Sequence, residues 1–516
     1  MESFTNIPLD LVKEFLYHLQ PVDVLQRGWP DTVLMKKDLA ACTLVSRTWR
    51  ALAQPYLFRD IFYSFMEDAS DPAHRQVGRA DGRWIGSTSY SQWLPQKTFS
   101  MLLDFLRQSP DLACYIRRLV LSSVVRGIVP TAAAIEAGAV AFADFTELLQ
   151  LLPYLSDLGV REFKLSIPAQ LQLPIPPVPS LAELDMDNNT TRLSPATAAA
   201  ILACFSTVDT LRLMCRLSLM DSPLNSYGSP PEPEPVGLVP ASRTQVNYVL
   251  FGAANSQTYM ETLKRFVQFE GIRALDIMPT PRLWLHQDLI DACSPSLEEL
   301  SVFVSMDDNP YEQIPKPMPV PSITACHNLR QLIITTSACP DEDFTAFPNH
   351  SQDQRTHKEK LQEQLEPVTH FLARANIHRD AFPHLTALGF LLDVGLHGFA
   401  GGVKTARLSD VRCEGAADEL DEILYGIARE LPGKKVTFSW IDMSFDHLPE
   451  YPGENGTFDG DFGLQQGEEF GARASGETTA EKVVGGEVFL GRLFPRLNEH
   501  EMIEVTGVAQ TIPGQI

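Results

Sequence analysis

The sequence predicts an α/β protein: a short all-α segment at the N-terminus, then a long irregular array in which helices and strands alternate. Three observations carry this. An apolar residue followed by apolar residues at +3 and +5 recurs along most of the 516 residues. Segments with apolar residues three and four apart precede many of those copies. Residues 4–62 instead show two amphipathic helical patterns.

In the first helical pattern Leu9, Val12, Leu16 and Leu19 share one face, and Leu11 and Phe15 add a second apolar face. Pro8 stands at the start, where a missing N–H costs least. The second pattern begins at Leu39 with Asp38 as its expected N-cap. It runs through Cys42, Val45, Trp49 and Leu52, and Pro55 is expected to end it. Residues 56–59 then lead into a strand-like stretch, 60–65.

The +3/+5 spacing occurs at Ile116/Leu119/Leu121, Val160/Phe163/Leu165, Leu181/Leu184/Met186 and Val208/Leu211/Leu213. It returns at Ile272/Leu275/Ile277, Leu297/Leu300/Val302, Leu329/Leu332/Ile334 and Leu385/Leu388/Phe390, with a weaker copy at Val403/Ala406/Leu408. The +3/+5 pair is a strand alternation with both side chains on one face, and the first residue anchors the turn leading in. This is the L-x-x-L-x-L core of a leucine-rich repeat. Helices are expected at 98–107, 142–152, 195–205, 258–269, 287–293, 361–375 and 419–431. Short alternating units of this kind give a parallel sheet lined by helices, here a leucine-rich-repeat-like solenoid over residues 63–445.

The spacing between copies is irregular because Pro-rich or polar inserts interrupt the array at 67–97, 221–243, 305–321 and 340–358. Residues 446–486 are acidic, Gly-rich and without periodicity, and are expected to be flexible. A last apolar stretch within 487–516 is expected to dock back on the array.

With 42 basic and 65 acidic residues the net charge is −23, which argues against a nucleic-acid partner, since phosphate neutralisation needs clustered Lys and Arg. No uncharged apolar run reaches the length of a membrane span. The cysteines form no C-x-x-C pair; Cys42, Cys114, Cys204 and Cys293 sit in apolar segments and read as reduced, buried thiols of a cytoplasmic or nuclear protein.

Residues 7–12 (Ile-Pro-Leu-Asp-Leu-Val), with Phe15-Leu16, and then residues 38–50 with Leu39, Val45, Ser46 and Trp49, resemble the F-box. The pattern is a Leu-Pro-like start, an apolar helix, and a second helix ending in Val-Ser-x-x-Trp. The sequel Pro55-Tyr56-Leu57-Phe58-Arg59 is similar to fungal F-box proteins with degenerate leucine-rich repeats. The resemblance implies a substrate receptor of an SCF-type (Skp–cullin–F-box) ubiquitin ligase. Its F-box would bind a Skp-family adaptor, and through it a cullin, while the array holds an unknown protein substrate. Carried over by position, Ile7, Pro8, Leu9, Val12, Leu16, Leu39, Val45 and Trp49 match the family's apolar pattern. Which of them touch adaptor and which fill the module's own core stays open. The segment from Gln20 to Lys37 is longer than the usual connection in that family.

Motifs for catalysis are missing: no G-x-S-x-G elbow, H-E-x-x-H helix or Walker loop occurs. Residues 398–404 are glycine-rich but lack the phosphate-loop spacing, and Asp459-Gly460-Asp461 lacks the remaining ligands of a calcium loop. His370 and His378, eight apart, would fall two turns apart on one helix face. The expectation is therefore a non-enzymatic adaptor with no cofactor and no metal. The alternative is a leucine-rich-repeat scaffold for protein interaction that takes no part in a ubiquitin ligase.

Overall fold

The computed structural model describes residues 9–19, 29–65, 98–122, 139–161, 165–167, 178–188, 195–215, 243–252, 263–277, 287–304, 321–337, 357–393, 413–441 and 487–509. The weak copy at Val403/Ala406/Leu408, most of the four inserts and the acidic stretch 446–486 lie outside those residues. The chain is mixed α/β, built on parallel strands, and divides into two compact units, residues 1–300 and 301–516.

The first unit opens with helices α1 (Leu9–His18), α2 (Trp29–Val45) and α3 (Arg47–Arg59), and α3 runs directly into strand β1 (Asp60–Ser64). The single second helix expected from sequence is thus two. Asp38 lies inside α2 and caps nothing; α2 starts at Trp29, taking up half of the long connection. The break falls at Ser46, whose backbone is extended (φ −162°, ψ 171°) and whose hydroxyl accepts from the Trp49 N–H at 3.2 Å. That satisfies one of the orphan donors at the start of α3. Pro55 does not end the helix. It removes one donor, but Tyr56 and Leu57 beyond it pack on the core of the three helices and hold the last turn in place.

The strands of the first unit follow one another in sequence. β2 (Arg118–Ser122) pairs with β1 and with β4 (Asp157–Arg161); then come β6 (Val178–Asn188), β7 (Phe205–Cys215), β8 (Thr244–Phe251) and β10 (Ala274–Ile277), every pair parallel. The short strands β3 (Val140–Ala141) and β5 (Leu165–Ser166) form a pair of their own, and β9 (Val267–Gln268) flanks β8. Helices Phe99–Gln108, Phe142–Leu151, Pro195–Leu202 and Gln287–Cys293 lie between strands, close to the expected positions. Of the helix expected at 258–269, residues 263–266 are described as helical.

The repeated spacing becomes two rows across this sheet. Leu119, Leu158, Leu184, Leu211, Val249 and Leu275 are directly opposite one another, strand to strand. So are Leu121, Val160, Met186, Leu213, Phe251 and Ile277, and all twelve are buried. Because side chains alternate with period 2, each copy sends both of its strand residues to one face, and stacking copies makes a continuous core. One copy takes a different register from the one expected: the strand copy is Leu155/Leu158/Val160, not Val160/Phe163/Leu165. Gly159 lies between Leu158 and Val160, where a Cβ would come within 3.1 Å of a Val120 methyl. A further copy, Val246/Val249/Phe251, forms β8 and adds to those the sequence predicts.

Strand β11 (Glu299–Phe303) lies where the chain passes between the units. The second unit continues the pattern with β12 (Gln331–Ser337), β13 (Ala387–Asp393), β14 (Val436–Ile441) and β15 (Ile503–Ala509), again parallel and in order. Helix His357–Ala375 precedes β13 and Asp418–Glu430 precedes β14. The residues before β15 are helical at 487–493 and again at Pro495–Glu499. Phe489, Leu490, Leu493, Phe494 and Leu497 are buried there, and the ring of Phe438 stacks between Phe390 (5.3 Å) and Phe494 (5.4 Å). Asp421 accepts hydrogen bonds from the backbone N–H groups of Arg496 (2.7 Å) and Leu497 (3.1 Å), capping the start of the last helix.

Cys42, Cys204, Cys293, Cys326 and Cys413 are buried free thiols, and burial pushes Cys204 up to about 12. Cys114 is a correction: it is exposed, because it falls in the turn after the short helix Pro110–Ala113. Among the described residues no helix is long and apolar enough to cross a membrane.

Candidate partner-docking surface

The three N-terminal helices build a small core of their own. Val12 and Leu16 from α1, Leu39 and Cys42 from α2, and Ala53 from α3 are buried together. Leu19, Trp49, Leu52, Tyr56 and Leu57 pack around them. Of the residues singled out from sequence, Val12, Leu16 and Leu39 are therefore interior to this module and not on its surface. The third helix, α3, completes this core with Ala53, Trp49, Leu52, Tyr56 and Leu57. Ile7 and Pro8 lie outside the described residues, and Leu9 begins α1.

A second apolar set faces outward. Leu11 is 59% exposed, Phe15 49%, Leu44 79% and Val45 64%; Tyr17 is exposed as well. Phe15 meets Trp49 edge-on, ring centroids 6.1 Å apart, so Trp49 joins the inner core to this outer set. Leu44 and Val45 end α2 beside the Ser46 cap. Leu44 sits on the side opposite Leu39 and Cys42, and Val45 is the last residue of the helix. Val45 is the residue of the sequence-derived set that is both described and well exposed.

The module is tied to β1 by Lys36, an unanticipated residue from the long connection. Its ammonium donates to the carbonyls of Leu57 (3.0 Å) and Asp60, at the end of α3. A cation there complements the partial negative charge of a helix C-terminus. Burial lowers the Lys36 ammonium from the ordinary lysine range, and the nearby Asp60 carboxylate opposes the shift.

The polar clusters weighed from sequence do not converge. Helix His357–Ala375 ends before His378, with Asn376 in the left-handed region (φ 48°), so His370 and His378 do not share a helix face. Among the described residues no group of three metal-ligating side chains comes together. Compared with known proteins, the chain matches no family model and no curated sequence.

Proposed function

We propose that the chain is a substrate receptor of an SCF-type ubiquitin ligase, in which α1–α3 act as an F-box. On this reading the outer face of α1–α3 docks a Skp-family adaptor, which links it to a cullin. The remaining strands and helices form a leucine-rich-repeat-like solenoid that presents a target protein, in the cytoplasm or nucleus. The chain itself performs no chemistry: it holds a target lysine near a ubiquitin-charged enzyme, and proximity supplies the rate.

The observation that carries the reading is the outward apolar set Leu11, Phe15, Leu44 and Val45 on a module whose own core is already filled. Exposed apolar side chains of this size mark interaction sites on folded proteins, and α1 offers Leu11 and Phe15 as i, i+4 anchors of the kind that suits helix-in-groove docking. Acids and bases are equal in number over residues 1–66, seven of each, so this segment carries no net charge.

The test is co-expression of the full chain with its host's Skp-family adaptor, followed by affinity capture. Wild type is expected to retain adaptor. Phe15→Asp/Leu44→Asp is expected to lose it while remaining folded by thermal melting, since Leu44 is exposed and Phe15 half-exposed at the edge of Trp49. A wild-type chain that captures no adaptor refutes the ligase reading and leaves a repeat scaffold. Unchanged capture by the double variant refutes the assignment of the face.

A further inference from the structure

The N-terminus of a helix carries a partial positive charge, which favours acids there and disfavours cations. Helices α1, Phe142–Leu151, Gln287–Cys293, His357–Ala375 and Asp418–Glu430 follow this rule, each with an acid in its first turn. Helix α3 inverts it: its first turn, residues 47–50, holds two arginines and no acid. Arg47 and Arg50 are both exposed, and among the described residues neither has an ion-pair partner. The Arg50 Nε donates to the Thr43 carbonyl at 3.2 Å, which holds that guanidinium across the break between α2 and α3. The acids nearest in sequence are engaged elsewhere. Asp38 stands next to Lys37, two turns back along α2, and Glu14 lies 3.8 Å from His18 of its own helix.

The same turn offers backbone donors. Ser46 takes two of them: its hydroxyl accepts from the Trp49 N–H at 3.2 Å and its carbonyl from the Arg50 N–H at 2.9 Å. The N–H groups of Arg47 and Thr48 come too early in the helix to have an intrahelical acceptor. Two guanidinium groups and two amides are thus gathered at one helix start. Immediately before it in the chain stand the exposed Leu44 and Val45, and Trp49 within the turn meets Phe15.

We infer, resting on the ligase reading above, that the adaptor surface covering the α2–α3 break is an apolar groove with carboxylates on its wall. The groove takes Leu44 and Val45, and the carboxylates accept from Arg47, Arg50 and the two amides. Two cations at a positive helix end repel it and each other in the free chain, and an anion brought by the partner relieves both. Guanidinium forks match carboxylates in shape as well as charge, so the contact also fixes how the module sits in the groove. Charges at the rim of an apolar contact act mainly on the rate of encounter, and salt screens them.

The experiment measures association of the immobilised full chain with its host's Skp-family adaptor at about 50 mM and about 500 mM salt. Wild type is compared with Arg47→Glu/Arg50→Glu, and with Arg47→Glu alone, which keeps the Arg50–Thr43 bond, in case the double variant unfolds. At low salt the double variant is expected to associate about tenfold more slowly, and at high salt within about twofold of wild type. Its melting temperature is expected to equal or exceed that of wild type, because the new acids suit the helix end. A purely structural role for the arginines would instead lower the melting temperature and leave the salt dependence unchanged. Folded variants that associate at the wild-type rate at low salt, or that are slowed equally at both salt concentrations, would overturn the inference. A wild-type chain that binds no adaptor at either salt overturns the ligase reading itself, and that is seen before any variant is made.

Discussion

Replacing Asp421 by alanine should loosen the C-terminal segment of the second unit without unfolding the rest. The Asp421 carboxylate accepts from two backbone N–H groups at the start of helix Pro495–Glu499, 2.7 Å from Arg496 N and 3.1 Å from Leu497 N. Leu497 is fully buried, so its N–H has no access to water once the carboxylate is gone. Loss of a helix N-cap costs about 1–2 kcal/mol, and a buried donor left without a partner costs about 1–3 kcal/mol. The Arg496 guanidinium over the Tyr425 ring (4.7 Å) and its ion pair with Glu422 remain, and they limit the loss. Both figures describe loss of the same two hydrogen bonds and are not added, so the cost is about 2 kcal/mol, or roughly thirtyfold in the local opening equilibrium. Hydrogen exchange followed by mass spectrometry reads it directly: amides of β15 should exchange about thirty times faster in Asp421→Ala, while those of β12 and β13 should not change. Protection of β15 within threefold of wild type would refute the reasoning.

The same residue sets a pH dependence. Burial raises the Asp421 carboxyl above the ordinary aspartate range, outweighing the two N–H groups and the Arg496 charge that pull it down. Between the unfolded and folded values the closed state holds a proton that the open state has released. The stability this group contributes is therefore fully present below the unfolded value and falls as pH rises through the folded one. Asp421→Asn, which cannot titrate, should lack that decline. The difference in β15 protection between wild type and Asp421→Asn should grow as pH rises through the window above ordinary aspartate values, and a difference independent of pH would refute the sign.

Two further predictions concern the N-terminal module. Leu39→Ala empties a fully buried site and should cost about 2–5 kcal/mol, read as a loss of protection in α1–α3. Ser46→Ala removes the hydroxyl that accepts from Trp49 N–H and should cost about 1 kcal/mol, with the first turn of α3 exchanging faster than its last.

Much of the α/β alternation was legible because burial and periodicity agree. Helix Gln287–Cys293 and strands β6, β10 and β12 follow from spacing alone, since their apolar residues all face one core. The errors fall where two periodic readings are equally apolar. From Leu155 to Leu165 the chain satisfies the repeat spacing in two registers, and Gly159 gives no outward side chain to separate them. What selects Leu158 and Val160 is the neighbouring strands, which put Leu119 and Leu184 opposite Leu158. That information is absent from the segment itself. β8 was missed because its copy is built from valine and phenylalanine after a long proline-rich stretch, not from leucine. Pro55 is a stop by local preference, but tertiary burial of Tyr56 and Leu57 outweighs one lost hydrogen bond.

The docking face was half legible, and α1 shows why. At 100° per residue, Leu11, Phe15, Leu19, Val12 and Leu16 fall in that order over an arc of about 140°, wider than the ~100° stripe that a surface helix needs to meet one core. The sequence displays the whole arc but not where the protein's own core stops. That limit is set by α2 and α3: Val12 and Leu16, at one end, close against Leu39 and Ala53, Leu19 is half-buried between, and Leu11 and Phe15 are left outside. The side chains nearest a family's apolar pattern are thus divided between holding the module together and offering a surface. Replacing Val12 or Leu16 would abolish adaptor capture by unfolding the module, whatever it binds. Only the exposed end of the arc can report on docking itself, so Phe15 and Leu44, and not the better-matching core positions, decide whether the F-box reading stands.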